Sequence, residues 1–185
     1  LRLWKRLGTR TKHETRVLDV QEIILERPGR DEPVRFVLLR CPDWVNVIPV
    51  TEDGRVILIR QYRSGTHEIT LEIPGGMVDP GEAPAATAGR ELTEETGWVA
   101  GSIEEIGVVN PNPAIQDNRC YTFLAKGCLP IGETDFDPNE EIETLLVPLD
   151  EIPALIADGD IRHGLVVAAF YHFFVTRSGK MQQQP

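Results

Sequence analysis

Between the turn Pro74-Gly75-Gly76 and Gly97 lies the only strong helical pattern in the middle of the chain, about Ala83 to Thr96. Pro84 suits its first turn and Gly97 the position just past its end, because proline pre-sets helical φ and glycine tolerates the left-handed cap. The flanking segments read as strands. Before the helix come TRVLDVQEIILE and VRFVLLR around the turn-rich RPGRDEP, then WVNVIPV and RVILIRQYR joined by TEDG, then THEITLEIP. Asp-Gly between two apolar runs is a hairpin signal. After the helix come IEEIGVV, RCYTFLAKG and IETLLVPL. The C-terminal part reads as a short helix, LDEIPALIADG, and a longer one, GLVVAAFYHFFVTR, which is apolar nearly all round and expected to be well buried. Strands with helices inserted at two places predict an α+β or layered α/β architecture, with a mixed β-sheet between helices.

The charge on the central helix is harder to place. At about 100° per residue, Leu92, Gly89 and Ala85 gather on one side, small enough to lie close against a sheet. Glu91, Glu94 and Glu95 occupy the adjoining arc at i, i+3 and i+4, and Arg90 precedes Glu94 by one turn, placed to pair with it. Three glutamates alone usually make a solvated face. Here they repel one another by a few tenths of a kcal/mol per pair, and those in the last turn face the negative end of the helix dipole. A shared divalent cation reverses both penalties. Carboxylates at this spacing are the hard oxygen donors that Mg²⁺ or Mn²⁺ takes, with phosphate oxygens completing the shell. The glycine turn lets backbone carbonyls approach the same place.

Composition narrows the partners. A net charge of −10 excludes general electrostatic binding of nucleic acid. No apolar run approaches the roughly 18 residues of a membrane span, and the basic N-terminal stretch LRLWKRLGTRTKHE lacks a signal-peptide core and cleavage site. The three cysteines, Cys41, Cys120 and Cys128, fall at no metal-ligand spacing, and an odd count suits reduced thiols. A cytoplasmic enzyme is expected, with neither nucleic acid nor membrane as partner. At 185 residues with 41% hydrophobic content the chain can bury a sizeable core in one domain with an appendage.

Gly76, Glu82 and the run Arg90-Glu91-Leu92-Thr93-Glu94-Glu95-Thr96-Gly97-Trp98 resemble the Nudix box, with Trp98 where an aliphatic residue is usual. The resemblance extends over most of the chain from about residue 44 and implies the α+β Nudix fold, an α/β/α sandwich-like layering with an N-terminal β extension, and a Nudix pyrophosphohydrolase that uses Mg²⁺, with Mn²⁺ able to substitute. It implies Glu91, Glu94 and Glu95 as metal-binding carboxylates, the last also catalytic, and the carbonyl of Gly75 as a further ligand. Gly76, Glu82, Arg90 and Gly97 then have structural roles, Arg90 orienting the glutamates. VILIRQYR, LEIPGG and Pro113 are similar to the branch of ADP-ribose pyrophosphatases and nucleoside diphosphate sugar hydrolases. NPNPAIQDNR departs from the Gly-rich loop usual there and favours a wider substrate range than ADP-ribose alone. The expected reaction cleaves the diphosphate of an ADP-ribose or GDP-mannose type of nucleotide sugar to a nucleoside monophosphate and a sugar phosphate.

Arginine forks suit phosphate oxygens. Arg63 is the preferred contact, with Arg60 and Arg119 as further ones, and Trp44 is placed to stack on a nucleobase. Tyr62, His67 and His163 read as structural. The branch often takes its general base from a later acidic loop, which points to Glu140 and then Glu141 in DPNEEIET. By the same resemblance, residues 1–43 add two strands that help form a homodimer, 44–178 make the Nudix domain, and 179–185 are a flexible tail. Rival readings are a non-catalytic nucleotide-sugar sensor and Nudix hydrolysis of triphosphates, coenzyme A or capped RNA.

Overall fold

In the computed structural model the described residues are 1–132, 134–136 and 141–181, the side chains of 177–181 excepted. They form two compact units, one from 1–43 with 110–119 and one from 44–109 with 120–185.

The first unit is an antiparallel meander of β1 (Lys5–Glu14), β2 (Asp19–Glu26) and β3 (Val34–Arg40), in the order β1-β2-β3. The sequence predicts two strands here, and the structure has three. β1 is almost wholly exposed and its sequence KRLGTRTKHE carries no apolar alternation, so no burial signal announced it. Its backbone is held instead by pairing with β2 along the full length, from Lys5 opposite Glu26 to Glu14 opposite Asp19. The segment 110–119 joins this unit through the Leu39 amide on the Ile115 carbonyl at 2.7 Å and the Asn118 side-chain amide on the Pro42 carbonyl at 3.0 Å.

The second unit is built on an eight-stranded mixed sheet. Its strands are β4 (Trp44–Thr51), β5 (Arg55–Arg63), β6 (Glu68–Glu72), β7 (Gly75–Met77), β8 (Trp98–Val99), β9 (Ser102–Val109), β10 (Cys120–Pro130) and β11 (Ile142–Pro148). The main path runs β11-β5-β4-β10-β8, with β6 on β5, β7 on β4 and β9 on β10. Only β4 with β10 is parallel; the other pairs are antiparallel.

Side-chain alternation sorts the core into two layers. From the central strands, Val45, Val47 and Ile57 point to one face and pack with Ala88 and Leu92 of α1 (Pro84–Thr96). Ile48, Val56 and Leu58 point to the other, against Ile152 of α2 (Ile152–Ala157) and Val166, Ala169, Phe170 and Phe173 of α3 (Gly164–Met181). Helices therefore cover both faces of the sheet, as expected of an α/β/α layering. Cys128 lies in the α1 layer, and burial pushes its thiol up to about 11, which makes it inert at neutral pH.

Two helical details differ from the sequence reading. The buried stripe of α1 is Thr87, Ala88, Leu92, Glu95 and Thr96, while Ala85 is exposed. The stripe has rotated because Glu95 turns inward to a backbone donor, as described below. In α3, Tyr171 and Val175 are 66% and 51% exposed, so this helix is buried along one side only. It continues to Met181, past the expected start of the tail. Phe170 is the largest fully buried side chain of the α3 layer. Phe170→Ala is expected to destabilise the protein by about 3–5 kcal/mol, read as a lower urea midpoint at unchanged slope.

Candidate functional site

α1 starts on Pro84 with no side-chain cap and ends on Gly97, whose φ of 69° lets its amide close on the Thr93 carbonyl. The glycine turn before it is needed for space rather than for φ. A Cβ on Gly76 would fall within the Glu91 carboxylate, and one on Gly75 would strike the backbone carbonyl of Val45. The turn and the last turns of α1 are therefore in contact. The Gly75 amide donates to Glu95 Oε2 at 2.9 Å, which holds that carboxylate on the buried side of the helix at 3% exposure.

One guanidinium organises the rest. Arg90 donates to Glu94 at 2.8 Å and to both oxygens of Glu82 at 3.3 Å, and stands 3.0 Å from Glu91. Partial burial works against the Arg90 charge, yet these carboxylates push its pKa above an already high value. Arg90, by its hydrogen bonds, in turn holds Glu82 below the usual carboxylate range, with help from the Thr87 hydroxyl.

The fit of a cation is decided by the donors. Glu91, Glu94 and Glu95 offer only hard oxygens, next to a turn whose missing side chains leave room. As placed, no three such ligands among the described residues converge on one point, because Arg90 draws Glu91 and Glu94 to itself. By donor chemistry the set suits Mg²⁺ or Mn²⁺, not a thiolate-seeking metal.

Beside the turn opens a cavity of about 580 Å³, a size typical of ligand pockets. Trp44, Arg63, Glu72, Gly75, Gly76 and His163 are among its lining residues. It runs from the glycine turn to a second charged cluster that the sequence reading missed. Glu72, 2% exposed, takes Arg63 Nε on Oε1 at 2.9 Å and Arg63 Nη2 on Oε2 at 2.8 Å. The Thr70 hydroxyl donates to Oε1 at 2.6 Å, and His163 Nδ1 lies 2.9 Å from Oε2. Burial raises the Glu72 pKa, but Arg63, His163 and Thr70 outweigh it and hold the carboxyl far below its ordinary 4.5. The available signal was an acidic residue in an apolar strand end, LEIPGG, since a lone glutamate is buried only with partners.

The remaining sequence-predicted residues are dispersed. Arg60 pairs with Glu143 across β5 and β11 at 3.2 Å and is not among the lining residues. Arg119 belongs to the first unit, where its amide donates to Asp43 at 2.7 Å. Glu141 is exposed just before β11, and Glu140 lies outside the described residues. Tyr62 and His67 pair with each other at 2.7 Å on the β5–β6 hairpin, where His67 has a left-handed φ of 57°.

A glycine turn that abuts a carboxylate helix, on a mixed sheet between helices, defines a class. The NUDIX domain profile matches residues 42–170. The chain is 30% identical over 147 residues to the ADP-ribose pyrophosphatase of Bacillus subtilis, covering 79% of each protein. It is 28% identical over 169 residues to the ADP compounds hydrolase NudE of Escherichia coli, covering 89% of this chain and 88% of that one. A crystal structure of an ADP compounds hydrolase superposes with a TM-score of 0.83 at 25% identity, covering 100% of this chain and 98% of that one. The chain belongs to the Nudix family, in its ADP-ribose pyrophosphatase branch, and is a Nudix pyrophosphohydrolase.

Two substitutions separate the glycines. Gly75→Ala meets fixed backbone and is expected to lower the melting temperature by several degrees. Gly76→Ala meets only the mobile end of Glu91, so melting should change little while the midpoint of a metal titration rises at least about tenfold. The buried carboxylate predicts a pH effect. Because the folded Glu72 pKa is depressed, its stabilisation is complete above the unfolded value near 4.5 and declines as pH falls below it. Glu72→Gln should cost about 3 kcal/mol at neutral pH, and the gap to the wild type should narrow in urea titrations below about pH 4.5.

Proposed function

We propose that this enzyme hydrolyses the diphosphate of nucleoside diphosphate sugars of the ADP-ribose type, with Mg²⁺, to a nucleoside monophosphate and a sugar phosphate. One observation carries the reading. The same cavity is lined by Arg63 and by the Gly75–Gly76 turn, whose other side touches Glu95 and Glu91. A diphosphate in that cavity would have the Arg63 guanidinium on one side and, on another, the glycine turn that contacts the helix carboxylates. The relatives that act on ADP-ribose and ADP compounds support the substrate class.

Glu91, Glu94 and Glu95 are the residues that would hold the cation, with the Gly75 carbonyl as a further ligand. When bound there, a divalent cation neutralises phosphate charge and lowers the pKa of an attacking water. The chain's own contribution is positioning. Gly75 N–H fixes Glu95, Arg90 fixes Glu94, and Arg63 meets a non-bridging phosphate oxygen. Trp44 in the cavity wall offers a flat face to the base. The acceptor for the water's proton comes from the acidic segment before β11, with Glu140 first and Glu141 next.

Residues 1–43 are proposed as a dimerising extension, supported by the exposure of Leu7, Phe36 and Val37 on its strands. Light scattering should then give twice the chain mass. A cytoplasmic location is supported by the three undisulfided cysteines.

The test is a panel of ADP-ribose, GDP-mannose, UDP-glucose, coenzyme A, triphosphates and capped RNA with Mg²⁺, with products identified. ADP-ribose or another nucleotide sugar should give the monophosphate, and excess chelator should stop it. Glu95→Gln keeps an oxygen for the Gly75 amide, so it should fold normally and lose about a hundredfold or more in kcat. A near-normal rate would remove the metal assignment. Glu140→Gln and Glu141→Gln should divide likewise, the true base losing orders of magnitude in kcat at similar KM.

A further inference from the structure

The hydrogen bonds around Glu72 fix the state of a histidine that the proposed reaction does not use. An ionised carboxylate only accepts, so each of its three partner side chains must donate. Arg63 and Thr70 do so by their nature. His163 does so only if Nδ1 carries the proton, which sets its tautomer and leaves Nε2 as the other ring atom. With that donor each Glu72 oxygen receives two hydrogen bonds, one from Arg63 and one from a neighbour. Arg63 is thereby gripped along its Nε–Nη2 edge by a carboxylate that cannot turn, although its own side chain is 43% exposed.

We propose that His163 is a positioning residue: it locks Glu72, and through Glu72 it holds the Arg63 guanidinium at the angle that a diphosphate requires. His163 is carried by the segment ahead of α3 and Arg63 by the end of β5, so the lock ties the α3 layer to the substrate wall. Loss of the Nδ1 donor leaves Glu72 Oε2 with one partner fewer and frees the carboxylate to rotate with its arginine. The proposal rests on the reading of Arg63 as a diphosphate contact.

The test uses the full chain with Mg²⁺ and ADP-ribose. His163→Phe removes the donor and should raise KM about tenfold with kcat nearly unchanged, since Arg63 grips ground state and transition state alike. His163→Asn puts an amide donor near the place of Nδ1 and should restore KM to within about threefold of wild type. Thr70→Val removes the other lock and should shift KM in the same direction. An unchanged KM in His163→Phe, or an equal defect in His163→Asn, overturns the proposal. A second readout needs no turnover. The ¹⁵N spectrum of the wild type at neutral pH should show His163 protonated on Nδ1, with a slowly exchanging Arg63 Nε–H that speeds up in His163→Phe. A His163 protonated on Nε2 alone overturns the proposal whatever the substrate. If ADP-ribose and its relatives are not cleaved at all, the functional reading fails, while the tautomer still decides the lock.

Discussion

The contact between the Gly75–Gly76 turn and the last turns of α1 governs the site, because glycines on the strand leave room for the helix carboxylates to reach its backbone. Gly75 lies against the Val45 carbonyl, and Gly76 against the Glu91 carboxylate. A larger residue at Gly75 would strike the β4 backbone, and one at Gly76 would displace the Glu91 carboxylate. The sheet supplies the fixed reference. β7 pairs with β4, and Val45 and Val47 of β4 pack under Ala88 and Leu92 of α1. Core packing and site geometry are thus set by the same few residues, and the helix cannot slide without cost to both.

Within that frame the arrangement manages two opposite charge problems. On α1 there is an excess of carboxylate, and Arg90 offsets it by touching Glu82, Glu91 and Glu94 at once. Across the cavity a buried carboxylate, Glu72, is outnumbered by donors and serves to hold a cation steady. One arginine orders anions and one anion orders an arginine. A substrate rich in negative charge would meet the second cluster directly, but the first only through an intervening cation.

Legibility in the sequence followed the physical signal. The helix from Pro84, its glycine stop, the Arg90–Glu94 pair and the strands of the central sheet were readable because periodicity, capping and turn chemistry are local. β1 was not, since a polar strand is held by backbone pairing with a distant segment. The inward turn of Glu95 was hidden for a related reason: a helical wheel ranks it by charge, whereas the Gly75 amide, remote in sequence, decides its direction. Glu72 and His163 come together only in the fold, from β6 and from the segment ahead of α3. Arg60 and Arg119 looked like Arg63 in sequence, but strand alternation and chain path send them elsewhere.

The difference between Arg60 and Arg63 shows how the fold fixes one arginine and not another. Both sit on β5, three positions apart, so pleating alone turns them to opposite faces. Arg60 meets Glu143 on β11 with 48% and 65% of the two side chains exposed, a surface pair worth little and free to exchange with water. Arg63 meets Glu72 at 2% exposure, where each oxygen of the buried carboxylate is held by two donors. Burial of the acid, not the identity of the base, separates a held guanidinium from a wandering one. An arginine that has already lost its rotational freedom gives up less on binding phosphate, and this pre-organisation is what the β5–β6 pairing supplies to the cavity.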